Sequence, residues 1–214
     1  MGKRFYHWGN AALRAAFVVA LDLKVHGVER VPRTGPLIVA INHTSFIDPL
    51  LVGAFIPRDV VMMSKIENFA LPFFGQLAKW YGAFPIHRGE VDREALKKAL
   101  EVLRGGQPLL MAPEGTRSTD GQLQAGHDGL ALLATRTRAP ILPFAIAGAK
   151  PVSRNLKKLK RTRVRVNIGE PFTLDATMAK PSRAELAALT DHLMLRLAAL
   201  LPPEQRGVYR ERAE

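Results

Sequence analysis

At 214 residues, with a formal charge of +12 and a pI near 10.5, the chain has the size of one domain with a substantial core. Its charge points to an acidic partner: nucleic acid, an anionic bilayer or a phosphorylated substrate. The absence of cysteine excludes thiol catalysis, disulfides and cysteine metal sites, and no stretch reaches the roughly 20 apolar residues that span a bilayer.

Residues Lys3 to Leu23 read as a helix with Phe5, Trp8, Ala12, Ala16 and Val19 on one side and Lys3 and Arg4 at its start. Aromatic residues beside basic ones suit the headgroup boundary of a membrane, and packing on the helix's own domain is the competing reading. The opening Met-Gly-Lys-Arg-Phe-Tyr lacks the Ser or Thr of a myristoylation signal, and no small-residue cleavage site follows an apolar core. The expectation is an intracellular protein that lies on a membrane without crossing it. Lys24 to Val31 reads as a short strand with His26 exposed, and Pro32 to Pro36 as a turn.

Pro36 to Ile41 is an apolar run that reads as a buried strand, followed by Asn42-His43-Thr44-Ser45-Phe46-Ile47-Asp48-Pro49. A helix is expected from Ser45 to Ile56, capped by Ser45, with Asp48 and Pro49 in a first turn that favours both. In an open α/β sheet the loops at the carboxyl ends of strands form the ligand crevice, which places His43 and Asp48 at its mouth. A histidine held by a carboxylate can take a proton from a hydroxyl, because the carboxylate fixes its tautomer and stabilises the imidazolium that forms. Taken alone, the pair also fits a capping Asp and a loop His. Asn42-His43-Thr44 matches a glycosylation sequon, which carries no weight without a secretory signal.

Asp59 to Ser64 is the next expected strand. After it, a helix from about Phe69 to Trp80 carries Phe69, Leu71, Phe73, Phe74, Leu77 and Trp80 and is interrupted by Pro72 and Gly75. Apolar on more than one face, it either packs deeply or borders an apolar ligand. Gly82 to Gly89 reads as a short strand ending in a cationic turn, where Arg88 either clamps a phosphate or is solvated. Glu90 to Arg104 is an amphipathic helix with Val91, Leu96, Leu100 and Leu103 inward, stopped by Gly105-Gly106. Pro108 to Ala112 is a buried strand that runs into Pro113-Glu114-Gly115-Thr116-Arg117-Ser118. A charged loop again follows a strand end, so this loop is expected to share the crevice of His43.

A helix from Gly126 to Arg138 and a strand from Pro140 to Ile146 follow. Between Lys150 and Arg165 stand eight Lys or Arg and no acid. Arg161, Arg163 and Arg165 alternate there with Thr162, Val164 and Val166, giving a strand with one cationic face that either meets an acidic partner or guards a sheet edge. Arg183 to Leu201 forms a helix with Leu186, Leu189, Leu193, Leu197 and Leu200 on one stripe, stopped by Pro202-Pro203. The charged tail from Glu204 is expected to be mobile. Alternating strands and helices predict an α/β fold, a mostly parallel sheet covered by helices on both faces with the active site at the carboxyl ends of its strands.

Three motifs in order, Asn42-His43-x-Ser45-x-x-Asp48, Gly82-x-Phe84-x-Ile86-x-Arg88 and Pro113-Glu114-Gly115-Thr116-Arg117-Ser118, resemble the glycerolipid acyltransferase family, closest to its lysophosphatidate (1-acylglycerol-3-phosphate) branch. Ala139-Pro-Ile-Leu-Pro143 is similar to a fourth family element, and the likeness covers about Leu37 to Ile146. The expected organisation is an N-terminal helical segment over 1–24, a candidate for membrane association, then an acyltransferase domain over 25–204 and a charged tail over 205–214. The resemblance implies that His43 is the catalytic base and Asp48 its orienter, and that Arg88, Glu114, Gly115, Thr116 and Arg117 shape the site for a phosphorylated acceptor. Phe69, Phe73, Phe74 and Leu77 are then expected along an acyl-chain groove. Similar proteins move a fatty acyl group from a coenzyme A or acyl-carrier-protein thioester to a glycerol hydroxyl of a lysophospholipid, making phosphatidate. They need no metal and no cofactor beyond that co-substrate. The expected partners are the donor, the acceptor and an anionic membrane surface on its cytoplasmic face, met peripherally or monotopically, and not nucleic acid. Two departures stand out: Ala112 where the third motif usually opens with Phe, and Gln124-Ala-Gly-His127 where a basic residue is common.

Two other classes compete. A serine hydrolase would use Ser45, but no Gly-x-Ser-x-Gly elbow occurs. A basic nucleic-acid or lipid-surface binder would explain the charge but not His43, Asp48 and Glu114 at strand ends; no zinc-finger spacing, P-loop or Gly-x-Gly-x-x-Gly appears.

Overall fold

Leu37–Ile41 and Ile141–Ala147 are buried at every position, as strands covered on both faces must be. They are the second and sixth of seven strands in a computed structural model that describes residues 3–70, 75–76, 82–86, 92–175 and 181–213, with side chains from Trp8 onward. The strands are β1 (Leu21–His26), β2 (Leu37–Ile41), β3 (Val61–Lys65), β4 (Phe84–Ile86), β5 (Pro108–Met111), β6 (Ile141–Ala147) and β7 (Thr162–Ile168), in the spatial order β1-β7-β6-β2-β5-β3-β4. Neighbours pair in parallel except β6 and β7, so β1 and β7 run against the other five. The sheet is mostly parallel, as the alternation of elements predicts.

Helices cover both faces. On one lie α1 (Lys3–Ala20) and α2 (Asp48–Phe55), where Phe17, Leu51 and Val52 pack on Val39, Phe144 and Val166. On the other lie α4 (Arg93–Arg104), α5 (Gly129–Thr137) and α7 (Arg183–Ala198), with Ala99, Leu103, Leu130 and Leu197 on Ile38, Leu109 and Ile141. The short α3 (Ile66–Phe69) follows β3, and α6 (Val152–Lys157) lies between β6 and β7.

Several expectations shift. Helix α1 ends at Ala20, three residues early, because Leu21 to His26 are drawn into the sheet beside β7. Helix α2 begins at Asp48 and not at Ser45: Ser45 provides no side-chain cap, and its N–H is taken instead by the Asp48 carboxylate. Helix α5 begins at Gly129, since His127 N–H is committed to the Pro113 carbonyl at 2.8 Å. Helix α6 emerges within the basic segment, where no helix was expected. The tail is not loose: Tyr209 and Ala213 are buried, and Leu123 N–H donates to the Gln205 carbonyl at 2.9 Å. Of the expected Phe69–Trp80 helix, Phe73, Phe74 and Leu77 lie outside the described residues, as do Arg88 and Val91.

Candidate active site

Strand β2 ends at Ile41, but its pairing is carried one residue further by a side chain. The buried Asn42 amide donates from Nδ2 to the Ile146 carbonyl at 2.8 Å and accepts the Ile146 N–H on Oδ1 at 2.7 Å. This pins the chain to β6 where it leaves the sheet. An amide held at both atoms is not available for a glycan, which closes the sequon reading.

The next residue is His43. Its backbone is gripped on both sides by the loop after β5: its N–H donates to Glu114 Oε1 at 2.7 Å, and its carbonyl accepts the Ser118 N–H at 2.7 Å. Its ring contacts Asp48, with Nδ1 3.0 Å from Oδ2. Asp48 is 0% exposed, and the same Oδ2 also accepts the N–H groups of Thr44 and Ser45, each at 2.7 Å. Two backbone N–H groups and the His43 ring, all meeting one oxygen, hold the carboxylate in one orientation. Asp48 Oδ1 has no hydrogen-bond partner among the described residues. With Nδ1–H donated to the carboxylate, Nε2 of a neutral His43 carries the lone pair, and the side chain is 12% exposed, enough for a substrate to reach it.

Glu114 is only 2% exposed. Its second oxygen accepts the Gln124 N–H at 2.9 Å and lies 3.4 Å from the Gln124 side-chain nitrogen. Burial pushes its carboxyl up to about 7, opposed by the N–H donors of Gln124 and His43. Both oxygens are occupied and turned inward, so Glu114 shapes the site from behind and does not reach into the crevice. Gly115, Thr116 and Arg117 are exposed on the same loop. Gly115 sits at φ +68°, and a β-carbon there would come within 2.9 Å of the His127 ring, so both conformation and space require glycine.

The structure thus brings His43, Asp48, Glu114, Gly115, Thr116 and Arg117 to one edge of the sheet. Phe69 stands apart, half-buried on α3 beside β3 and β4 at the far margin. Asn42, Ser118, Gln124 and His127 complete the site. Ser118 stands in the third motif and Gln124 and His127 in the departure noted after it, but apart from the resemblance only Asn42 left a signal, a polar residue directly continuing an apolar strand. A separate groove of about 420 Å³, lined by Arg30, Glu170, His192 and Arg196, lies toward the other end of the strands, away from the dyad.

A carboxylate-held histidine thus stands at the end of a parallel strand, its backbone clamped by a second strand-end loop. The family described as Acyltransferase matches residues 22–147, more than half the chain, and the chain belongs to it. It is 28% identical over 197 residues to the 1-acyl-sn-glycerol-3-phosphate acyltransferase of Bacillus subtilis (strain 168), covering 91% of this chain and 96% of that one. It is 34% identical over 146 residues to the lyso-ornithine lipid O-acyltransferase of Pseudomonas aeruginosa, covering 68% of this chain and 54% of that one. Among solved structures it resembles the 1-acyl-sn-glycerophosphate acyltransferase PlsC of Thermotoga maritima, with a TM-score of 0.67, 25% identity, and coverage of 90% of this chain and 80% of that one.

Proposed function

We propose that the protein moves a fatty acyl group from a thioester, carried by coenzyme A or acyl-carrier protein, to the free hydroxyl of lysophosphatidate, with His43 as general base. The observation that carries this reading is the Asp48 Oδ2–His43 Nδ1 contact, which leaves Nε2 for the substrate. The acceptor hydroxyl gives its proton to Nε2 as its oxygen attacks the thioester carbonyl carbon. Asp48 stabilises the imidazolium that results. Collapse of the tetrahedral intermediate breaks the carbon–sulfur bond, and the imidazolium returns the proton to the thiolate, giving ester and free thiol. A thioester is already activated, so the step needs neither a covalent enzyme intermediate nor a cofactor.

Arg117, exposed beside the dyad, is a candidate for the acceptor phosphate, because an arginine fork matches its oxygens. Arg88 takes the same role by its place in the second motif, and Gly115 and Thr116 line the crevice. Phe69, with Phe73, Phe74 and Leu77, is assigned to the acyl chain. Gly75→Leu would not test that assignment, since a β-carbon at Gly75 would strike the Phe69 carbonyl oxygen.

With a lipid as acceptor, the proposed setting is the cytoplasmic face of a membrane, met peripherally or monotopically, with the bilayer and not nucleic acid as the acidic partner. The outer side of α1 supports this: Trp8 is 73% and Val19 77% exposed, whereas Phe17 is buried. No helix of the described residues is long and apolar enough to cross a membrane. A second acceptor, a lyso-ornithine lipid, is favoured by the likeness to the Pseudomonas enzyme and by His127 where a basic residue is common.

The test is a panel of lysolipid acceptors against both donor types, with product read by mass, beside His43→Ala. Wild type should acylate lysophosphatidate best, and His43→Ala should lose about 10²–10⁴-fold in turnover with its melting temperature unchanged. Near wild-type turnover in that variant would remove the mechanism, and preference for lyso-ornithine lipid would reassign the acceptor.

A further inference from the structure

We infer that the turn joining α6 to β7, residues 156–160, is a second membrane contact that sets Leu156 and Leu159 into the headgroup region of an anionic bilayer with lysines around them. The inference rests on the reading that the acceptor is a membrane lipid.

The basic segment divides in two once its contacts are known. Arg163 and Arg165 face Asp22 at 3.3 and 3.4 Å, and Arg161 donates to the carbonyls of Val18, at 2.9 Å, and Leu21. These three arginines tie β7 to α1 and β1 and are not free for a partner. Arg154, Lys157, Lys158 and Lys160 are exposed and have no ion pair among the described residues. Among them stand Leu156, 39% exposed, and Leu159, 95% exposed.

Leu159 is out of place by two independent criteria. Its φ is +53°, a left-handed conformation that glycine or asparagine adopts easily and leucine only with strain. Its side chain is also almost wholly in water. The turn around it is well tied: Leu159 N–H donates to the Leu156 carbonyl at 3.0 Å, Lys160 N–H to the Asn155 carbonyl at 2.9 Å, and Asn155 Nδ2 to Thr162 Oγ1 at 3.0 Å. Leucine serves neither the turn nor hydration; burying its side chain at the boundary between headgroups and acyl chains would remove the hydration cost and offset the backbone one.

The location agrees. Strand β6 ends at the catalytic edge, and α6 and its turn lie just beyond it. A β-carbon on Gly121, in the loop that follows Arg117, would meet Lys150 Cδ at 2.9 Å, so the base of this projection touches the catalytic loop. On its other side Arg161 joins it to the last turn of α1, where Val18 and Val19 are exposed. Aliphatic side chains ringed by lysine suit an anionic lipid surface, whereas single-stranded nucleic acid would call for aromatic platforms.

The experiment is sedimentation with phosphatidylglycerol or phosphatidylcholine vesicles over a range of salt, using the full chain. Leu159→Asp should lower partition onto phosphatidylglycerol about tenfold. Charge reversal at Lys157, Lys158 and Lys160 together should lower it at least a hundredfold at low salt and flatten its salt dependence, at about 1 kcal/mol for each lysine removed. Leu159→Gly relieves the turn, so it should melt no lower than wild type and still lose vesicle binding. Transfer to a water-soluble short-chain acceptor should be unchanged in all three, while transfer to vesicle-borne acceptor falls. Wild-type partition of Leu159→Asp and Leu159→Gly would overturn the proposal. So would intact vesicle binding with a raised KM for a carrier-protein donor alone, which would make the turn a protein-docking site. Vesicle binding does not require turnover: a chain that transfers nothing, yet loses partition in Leu159→Gly, would refute the proposed function and leave this contact standing.

Discussion

At Glu114 two effects oppose each other: burial favours the neutral acid, while the N–H groups of His43 and Gln124 favour the carboxylate. The folded protein holds this proton up to about pH 7, against an ordinary value of 4.5, so it binds more protons than the unfolded chain between the two. Stability from this group is therefore fully present below about 4.5 and lost as pH rises through 7. Glu114→Gln cannot titrate, and the melting temperature of wild type relative to this variant should fall from pH 5 to 7 and level off above; a constant offset in thermal melts would refute the shift. Asp48 fails differently. An asparagine there can keep its one oxygen where Oδ2 stood, facing the Thr44 and Ser45 N–H groups and the His43 ring, but it carries no charge to stabilise the imidazolium. Asp48→Asn should thus keep the fold and lose about a hundredfold in kcat, less than His43→Ala. Equal losses in the two variants would mean that His43 cannot act as a base without the Asp48 charge.

At the scale of elements, β7 spends its outward arginines on its neighbours. Arg161→Ala removes one bond to Val18 in the last turn of α1 and one to Leu21 at the start of β1, and should cost about 1 kcal/mol in urea melts, with proteolytic cutting near Ala20 appearing earlier than in wild type. The Arg–x–Arg–x–Arg alternation disclosed the strand and its cationic face, but a period of two says which side a residue faces and not what stands opposite. Asp22 lies some 140 positions away and meets these arginines only because β1 pairs with β7. The same limit separates the legible part of the site from the rest. His43 and Asp48 are five residues apart on one loop and could be read together, as could Glu114 and Arg117 at a second strand end. Ser118, Gln124 and the grip of Asn42 on Ile146 depend on which strands become neighbours, and nothing local reports that. Helix α2 began late for a local reason, since the Asp48 carboxylate competes for the N–H groups that an earlier helix would have used.

For the molecule as a whole, the last residues belong to the fold. The Tyr209 hydroxyl accepts the Gly126 N–H at 3.3 Å, Gln205 Oε1 accepts the Gly148 N–H at 3.3 Å, and Arg212 pairs with Asp191 on α7. Charged neighbours concealed the two apolar anchors, Tyr209 and Ala213, in the sequence. Tyr209→Ala should cost about 3 kcal/mol and lower the melting temperature by about 10 °C; an unchanged melt would mark the segment as dispensable. The reversed polarity of β1 and β7 has a wider effect. Leu21 pairs with Thr162, so both strands begin at the edge where β2 and β5 end. The close of α1 and the α6–β7 turn are delivered there, on the same side as His43; a β1 running with the majority would leave α1 at the opposite pole. In the proposed membrane pose two contacts flank the mouth of the site, which would stop the enzyme from swivelling and let an acceptor present its hydroxyl while its tail stays in the bilayer. Lifting a lipid clear of the membrane costs about 0.8 kcal/mol per methylene, and this pose removes that step. Turnover should then follow the mole fraction of acceptor within the vesicles and ignore dilution of the vesicles themselves, so long as the enzyme stays bound.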